Sequence, residues 1–306
     1  MQVIEGNMSE RMENFFNPAH PSQRDPLEVR IVNLMQKEFL STTWANGVFS
    51  NAREKTVDYF KNSLTNLENP SLIHDETQKI LKDLSNIFKS KIISGEENLQ
   101  KLSKRQSGFI VSNHLGAYKL TGIRPQELGL ELSGAEIIHP FVMFYQSLIP
   151  VAEQLGDNLY EAAYPSEYPI ETIQKRAGSI LIPSGKGVFE KVLKASKETI
   201  AKYPSGLFTI FPEGGTSGKR NEGGPYDLEG FHTGSFFIAA ELDVPIIPVA
   251  QYFNPNSGFE LGVFESFIPE RNKSKEYYEN IAESTRGKMQ TWLNQRKQSA
   301  EISLKS

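Results

Sequence analysis

A histidine and a glutamate, each placed just past an apolar run, are the residues of this chain best suited to proton-transfer chemistry. Residues 109–120 read Phe-Ile-Val-Ser-Asn-His-Leu-Gly-Ala-Tyr-Lys-Leu. A β-branched run that breaks into small and polar residues predicts a buried strand feeding a loop at its carboxyl end. In open α/β sheets that end of a strand borders the ligand crevice. His114, between Asn113 and Leu115, would then face a substrate from a backbone held by the sheet. An imidazole that titrates near neutrality can take a proton from a hydroxyl or amine and return it to a leaving group. The chain has no cysteine and no convincing nucleophilic serine, so direct attack by an activated acceptor is the simpler chemistry. A lone histidine is more often structural; its place after a strand sets His114 apart. His20, His74, His139 and His232 show no metal-ligand spacing, and His139 and His232 read as structural or cleft-lining.

A second stretch repeats the layout. Residues 207–218 read Leu-Phe-Thr-Ile-Phe-Pro-Glu-Gly-Gly-Thr-Ser-Gly, an apolar strand opening into a Gly-rich polar loop. The same composition would serve an ordinary turn. It also offers backbone N–H groups, two hydroxyls and the Glu213 carboxylate within a few residues, a nest able to hold an anion or orient a polyol. If both strands belong to one sheet, Glu213 should lie within about 10 Å of His114, because adjacent strands are only about 4.8 Å apart.

In order and spacing these stretches resemble the glycerolphosphate and lysophosphatidic acid acyltransferase superfamily. That family's first motif is Asn-His followed, after four residues, by Asp; its third is Phe-Pro-Glu-Gly-Thr-Arg-Ser; its fourth is Val-Pro-Ile-Val-Pro-Val. This chain carries Asn113-His114, Phe211-Pro212-Glu213-Gly214 and Val244-Pro245-Ile246-Ile247-Pro248-Val249. Between the last two, Phe231-His232-Thr233-Gly234 resembles the family's Phe-Lys-x-Gly segment. The likeness spans residues 107–250.

The resemblance implies transfer of a fatty acyl group from a thioester, on coenzyme A or acyl carrier protein, to a hydroxyl of a glycerolipid-type or other lipid-like acceptor at a membrane surface. It implies no bound cofactor and no metal. His114 would be the general base, and Glu213 with its loop would position the acceptor. Asn113, Lys119, Lys186, Phe211, Pro212, Gly214, Gly215, Thr216, Ser217 and His232 would complete the substrate-binding set. An oxyanion site for the tetrahedral intermediate is also needed.

Three positions depart from the family pattern. Lys119 stands where the family has Asp. An ammonium has donors and no acceptor, so it cannot steady the imidazolium, a role whose loss in the serine-protease triad lowers turnover by about 10⁴. Glu213 or Glu127 would have to take over that role. Ser184 stands where an Arg usually meets the acceptor phosphate, with Lys186 nearby as a point charge. Gly215 displaces Thr216 and Ser217 by one place, leaving Lys219 and Arg220 as the only substitutes for the motif's Arg. Together these favour an atypical acceptor without a phosphate. They also leave open a catalytically weak relative that binds acyl chains or acyl carrier protein.

The positioning elements read as two regions after a polar arm at 1–25. Helical spacing marks a first helix from Asp25-Pro26, a second over about 50–67 ended by Pro70, and a third from about Asp75. Nothing before about 105 reads as a strand, so 26–105 is expected to be a helical bundle. Beyond it, strand-like runs at 109–112, 135–138, 179–183, 206–211 and 244–250 alternate with helical ones near 141–155, 186–203 and 233–242. A strand pair over 252–268 and a helix over about 275–297 follow. That alternation predicts an α/β domain over 106–300, a mixed sheet covered by helices.

Composition bounds the rest. The 306 residues carry 33 basic and 37 acidic side chains, a net charge of −4, which is no footprint for nucleic acid. Lacking cysteine, the chain has no thiolate metal site or disulfide and fits a reducing compartment. No run approaches the roughly 20 apolar residues of a membrane span. A cytoplasmic protein, soluble or peripheral on a membrane, is therefore expected.

Overall fold

The computed structural model describes residues 43–115, 125–131, 145–165, 167–182, 187–215, 217–218, 224–254 and 257–303. Among them seven strands form one sheet: β1 (Lys91–Ser94), β2 (Gly108–Ser112), β3 (Asn158–Ala163), β4 (Ile180–Leu181), β5 (Gly206–Ile210), β6 (Ile246–Asn254) and β7 (Gly258–Val263). Their order is β1-β7-β6-β2-β5-β3-β4. β2 to β6 run parallel to one another, while β7 returns antiparallel to β6 and carries β1 beside it. The sheet is mixed and the fold α/β, as expected. β2 lies between β5 and β6, so the chain leaves its carboxyl end with strands on both sides.

Helices α1 (Thr43–Thr65), α2 (Pro70–Ile87), α3 (Glu96–Leu99), α4 (Ile149–Leu155), α5 (Ile170–Ala177), α6 (Val188–Lys202), α7 (Gly234–Leu242) and α8 (Lys275–Ser303) cover it. Alternation along each strand sorts side chains between two layers. Ile110, Leu159, Leu207 and Ile247 pack with Phe60, Ile73 and Leu81 from α1 and α2. Phe109, Val111, Tyr160, Phe208 and Ile246 pack with Val192, Phe236 and Tyr278 from α6, α7 and α8. Burial on both faces is why the central strands read as unbroken apolar runs.

Several expectations change. The 26–105 stretch, read as purely helical, holds β1, which pairs with β7 at the sheet edge. β1 is four residues long and mostly exposed, so it carries neither an apolar run nor an alternation. β3 and α5 were not anticipated either, because Asn158 and Glu161 interrupt the apolar pattern of β3. Pro70 begins α2 instead of only ending α1: it sits in the first turn, where a missing N–H costs nothing, and Asn69 Oδ1 caps the helix by accepting the Leu72 N–H at 3.2 Å. The 244–250 run and the terminal strand are one nine-residue strand, β6. Its turn into β7 closes at Gly258, φ +96°, where a Cβ would lie 2.0 Å from the Phe88 carbonyl oxygen. The arm at 1–25, the helix expected from Asp25-Pro26 and the strand at 135–138 lie outside the described residues.

Candidate active site

The site is built where β2 and β5 end side by side. Their register, Gly108 opposite Leu207 through Val111 opposite Ile210, brings both polar loops out at the same level. The His114 N–H donates to Glu213 Oε1 at 3.0 Å. The His114 carbonyl accepts the Ser217 N–H, also at 3.0 Å. Ser217 Oγ donates to the same Glu213 oxygen at 2.7 Å, and the Glu229 N–H donates to Glu213 Oε2 at 2.8 Å. The expected proximity of His114 and Glu213 is thus a direct bond, made through the histidine main chain.

Glu213 turns inward because the chain folds sharply after it. Gly214 has φ +62°, a left-handed conformation that glycine adopts without penalty, and its N–H returns to the Phe211 carbonyl at 3.2 Å. The carboxyl is fully buried. Burial pushes its pKa up to about 7 and the neighbouring Glu229 adds to the rise, against the three hydrogen bonds that favour the anion. A carboxyl that titrates near neutrality is unusual for a surface glutamate and typical of functional clefts.

His114 is half-buried as a residue, and its ring stands edge-on to Phe211, with centroids 4.8 Å apart and planes at 88°. Phe211, Gly214 and Gly215 keep partial exposure beside it. His114 thus combines a backbone fixed by the neighbouring loop with partial exposure of the residue, while its Nδ1 is buried.

Asn113 is placed differently from the expectation. It is fully buried, and its side chain imitates a peptide unit: Oδ1 accepts the Gln251 N–H at 2.8 Å and Nδ2 donates to the Gln251 carbonyl at 3.0 Å. The Gln251 side chain answers by donating Nε2 to the Asn113 carbonyl and accepting from Ser147 Oγ at 2.6 Å. Asn113 therefore continues the β2–β6 ladder with a side chain, one step beyond Ser112 opposite Val249. The backbone is released from the sheet at that point, and His114 can leave its plane. Asn113 braces the end of the sheet through its side chain.

Ser217 and Pro212 also turn inward. Both are buried, and the Ser217 hydroxyl is committed to Glu213. His232 is exposed, and its N–H donates to the Pro212 carbonyl at 2.8 Å, tying the loop to the approach to α7. Lys119, Lys186, Thr216 and the Glu127 side chain lie outside the described residues. Gln251, Ser147 and Glu229 were not anticipated, although a glutamine inside the apolar run Ile-Ile-Pro-Val-Ala-Gln-Tyr-Phe is a visible signal. Among the described residues no group of His, Asp and Glu is placed to hold a metal ion, and no helix is long and apolar enough to cross a membrane.

Residues 170–252 match the family model described as Acyltransferase. The match takes in the Glu213 loop and Gln251. Among curated proteins no sequence matches the chain. Among solved structures, the 1-acyl-sn-glycerophosphate (LPA) acyltransferase PlsC from Thermotoga maritima aligns with 89% of this chain and 98% of its own, at 16% identity and a TM-score of 0.47.

Proposed function

For a chain whose ordered motifs and acyltransferase family match support the glycerolphosphate acyltransferase superfamily, we propose acyl transfer from a coenzyme A or acyl carrier protein thioester to a hydroxyl of a lipid-like acceptor. The acceptor hydroxyl gives its proton to the His114 imidazole as its oxygen attacks the thioester carbonyl carbon. The C–S bond then breaks, and the imidazolium returns the proton to the departing thiolate, so that ester and free thiol leave an unchanged enzyme. Glu213 is a positioning residue in this scheme. It holds the His114 main chain, and with Ser217 it fixes the loop from which the ring projects. Contact with a membrane surface belongs to the same reading, because the acceptor is a lipid.

The observation that carries this reading is the lacing of His114. Its N–H and its carbonyl are both tied to the loop after β5, while the residue keeps partial exposure. A histidine kept only for packing would gain nothing from a backbone fixed at both ends beside a neutral-range carboxyl. The alternative, a binding protein without turnover, is favoured only by Lys119.

The test is incubation of purified protein with labelled acyl-CoA or acyl carrier protein thioester and a panel of lipid acceptors, alongside His114→Ala. Thioester-dependent ester formation that disappears in the variant is expected. Activity of His114→Ala within a few fold of wild type would remove the residue from the reaction. Thioester binding without turnover in wild type would favour the alternative.

A further inference from the structure

Three neighbouring strands carry polar side chains onto the sheet face under His114, and each leaves an oxygen without a partner. Glu161 of β3, Thr209 of β5 and Ser112 of β2 are 8%, 0% and 0% exposed. Glu161 Oε2, Thr209 Oγ1 and Ser112 Oγ make no hydrogen bond. Glu161 is level with Thr209, and Thr209 with Ile110, two residues before Ser112. Their parity with Leu159, Leu207 and Ile110, which share one core cluster, puts all three on one face. Directly opposed neighbours are about 4.8 Å apart, and the diagonal step from Thr209 to Ser112 is about 8 Å. Phe211, two residues beyond Thr209, carries the His114 ring. The polar steps therefore climb toward the imidazole.

Each orphaned oxygen costs the fold the desolvation of an unmet polar group, and alanine or valine at these positions would avoid that cost. Gln251, the next step on β6, is fully bonded, so among these four strand positions the unmet polarity lies with the other three. Burial alone pushes Glu161 up to about 8, with no cation among the described residues opposing it. At neutral pH it is mainly a neutral acid, able both to donate and to accept. One carboxyl and two hydroxyls complement a head group of neutral hydroxyls. A phosphate could accept from the same three O–H groups but would meet no positive charge among the described residues.

We propose that Glu161, Thr209 and Ser112 form the head-group subsite of the acceptor and select a neutral, hydroxyl-bearing lipid over one that carries a phosphate. The inference rests on the acyltransferase reading above. All three side chains are closed from solvent, so head-group entry requires the covering layer to open.

Binding is measured without turnover, on His114→Ala protein, by calorimetric titration of a monoacylglycerol and of lysophosphatidic acid in the same detergent micelles. The monoacylglycerol is expected to bind at least tenfold more tightly. Adding Glu161→Leu should abolish that preference with no loss of melting temperature, and Glu161→Gln, which still donates and accepts, should retain most of it. Preference for lysophosphatidic acid, or no binding of either lipid, overturns the subsite. Unchanged binding in Glu161→Leu with a raised melting temperature also overturns it, because the cluster would then hold water only. If Glu161→Leu does not fold, Thr209→Val decides, with the same tenfold loss expected and an unchanged preference overturning the proposal. Absence of transfer to every acceptor by wild type would sink the acyltransferase reading separately, since the binding preference is read without chemistry.

Discussion

Replacing Glu213 with glutamine tests the bracing of the site and the pH at which it gives way. The carboxyl accepts from His114 N–H, Ser217 Oγ and Glu229 N–H. Glutamine can keep its oxygen toward the first two, but its amide nitrogen then faces the Glu229 N–H, donor against donor. One buried donor is orphaned, which costs about 1–3 kcal/mol. The wild-type group also has a pH term. Its pKa rises from 4.5 unfolded to about 7 folded, so between those values the folded state holds more protons than the unfolded one. Stability from this group is fully present below about pH 4.5 and is lost as pH rises through about 7. A shift of about 2.5 units corresponds to about 3 kcal/mol. Glu161 contributes a slope of the same sign to both proteins, so it cancels in the difference. Urea unfolding at pH 5, 6.5 and 8, followed by circular dichroism, should show the variant clearly weaker at pH 5. By pH 8 it should match wild type or exceed it. A difference that stays constant with pH, or that grows as pH rises, would refute the argument that burial outweighs the three hydrogen bonds.

Further outcomes follow from single contacts. Asn113→Ala should lower stability by about 2–5 kcal/mol in thermal melts, because it strands the Gln251 N–H and carbonyl in the sheet and leaves a void. Gly258→Ala should cost about 2–4 kcal/mol, from a positive φ combined with the Phe88 carbonyl 2.0 Å from the new Cβ; an unshifted melting curve would contradict the turn geometry. Arg296→Ala should cost about 3 kcal/mol by leaving Glu260, which is 4% exposed, without its cation, measured by urea unfolding. Lys119→Asp is expected from the sequence to transfer acyl groups at least as well as wild type. Loss of all activity in that variant would give the lysine a positive role, most simply in holding an anionic substrate.

The central strands and both chemical loops were legible in the sequence because β2, β5 and β6 are buried on both faces and end in abrupt changes of residue type. The histidine and glutamate could be paired from strand spacing alone. What escaped had no such contrast. β1 is a short, exposed edge, and β3 is broken by Glu161, the residue that makes it informative. Asn113 and Ser217 were read as substrate contacts because polar residues in a motif invite that reading. Their burial, and the partners that consume their polar atoms, come from chain segments far away in sequence, Gln251 for one. Sequence position identifies a loop residue as polar, but not whether its hydrogen bonds are spent inward.

The lashing of His114 to one loop has a consequence for exchange with solvent. Its amide proton lies beyond the last residue of β2 in a half-buried residue, where loop amides ordinarily exchange within seconds to minutes. Here the acceptor is a carboxyl at the centre of a buried hub that also holds the loop amide of Glu229. Opening any one of these bonds exposes a charge or an orphaned donor, so the group should open together or not at all. The amides of His114 and Glu229 should therefore exchange as slowly as those of the central strands, making this pair of loops one of the slowest-breathing parts of the molecule.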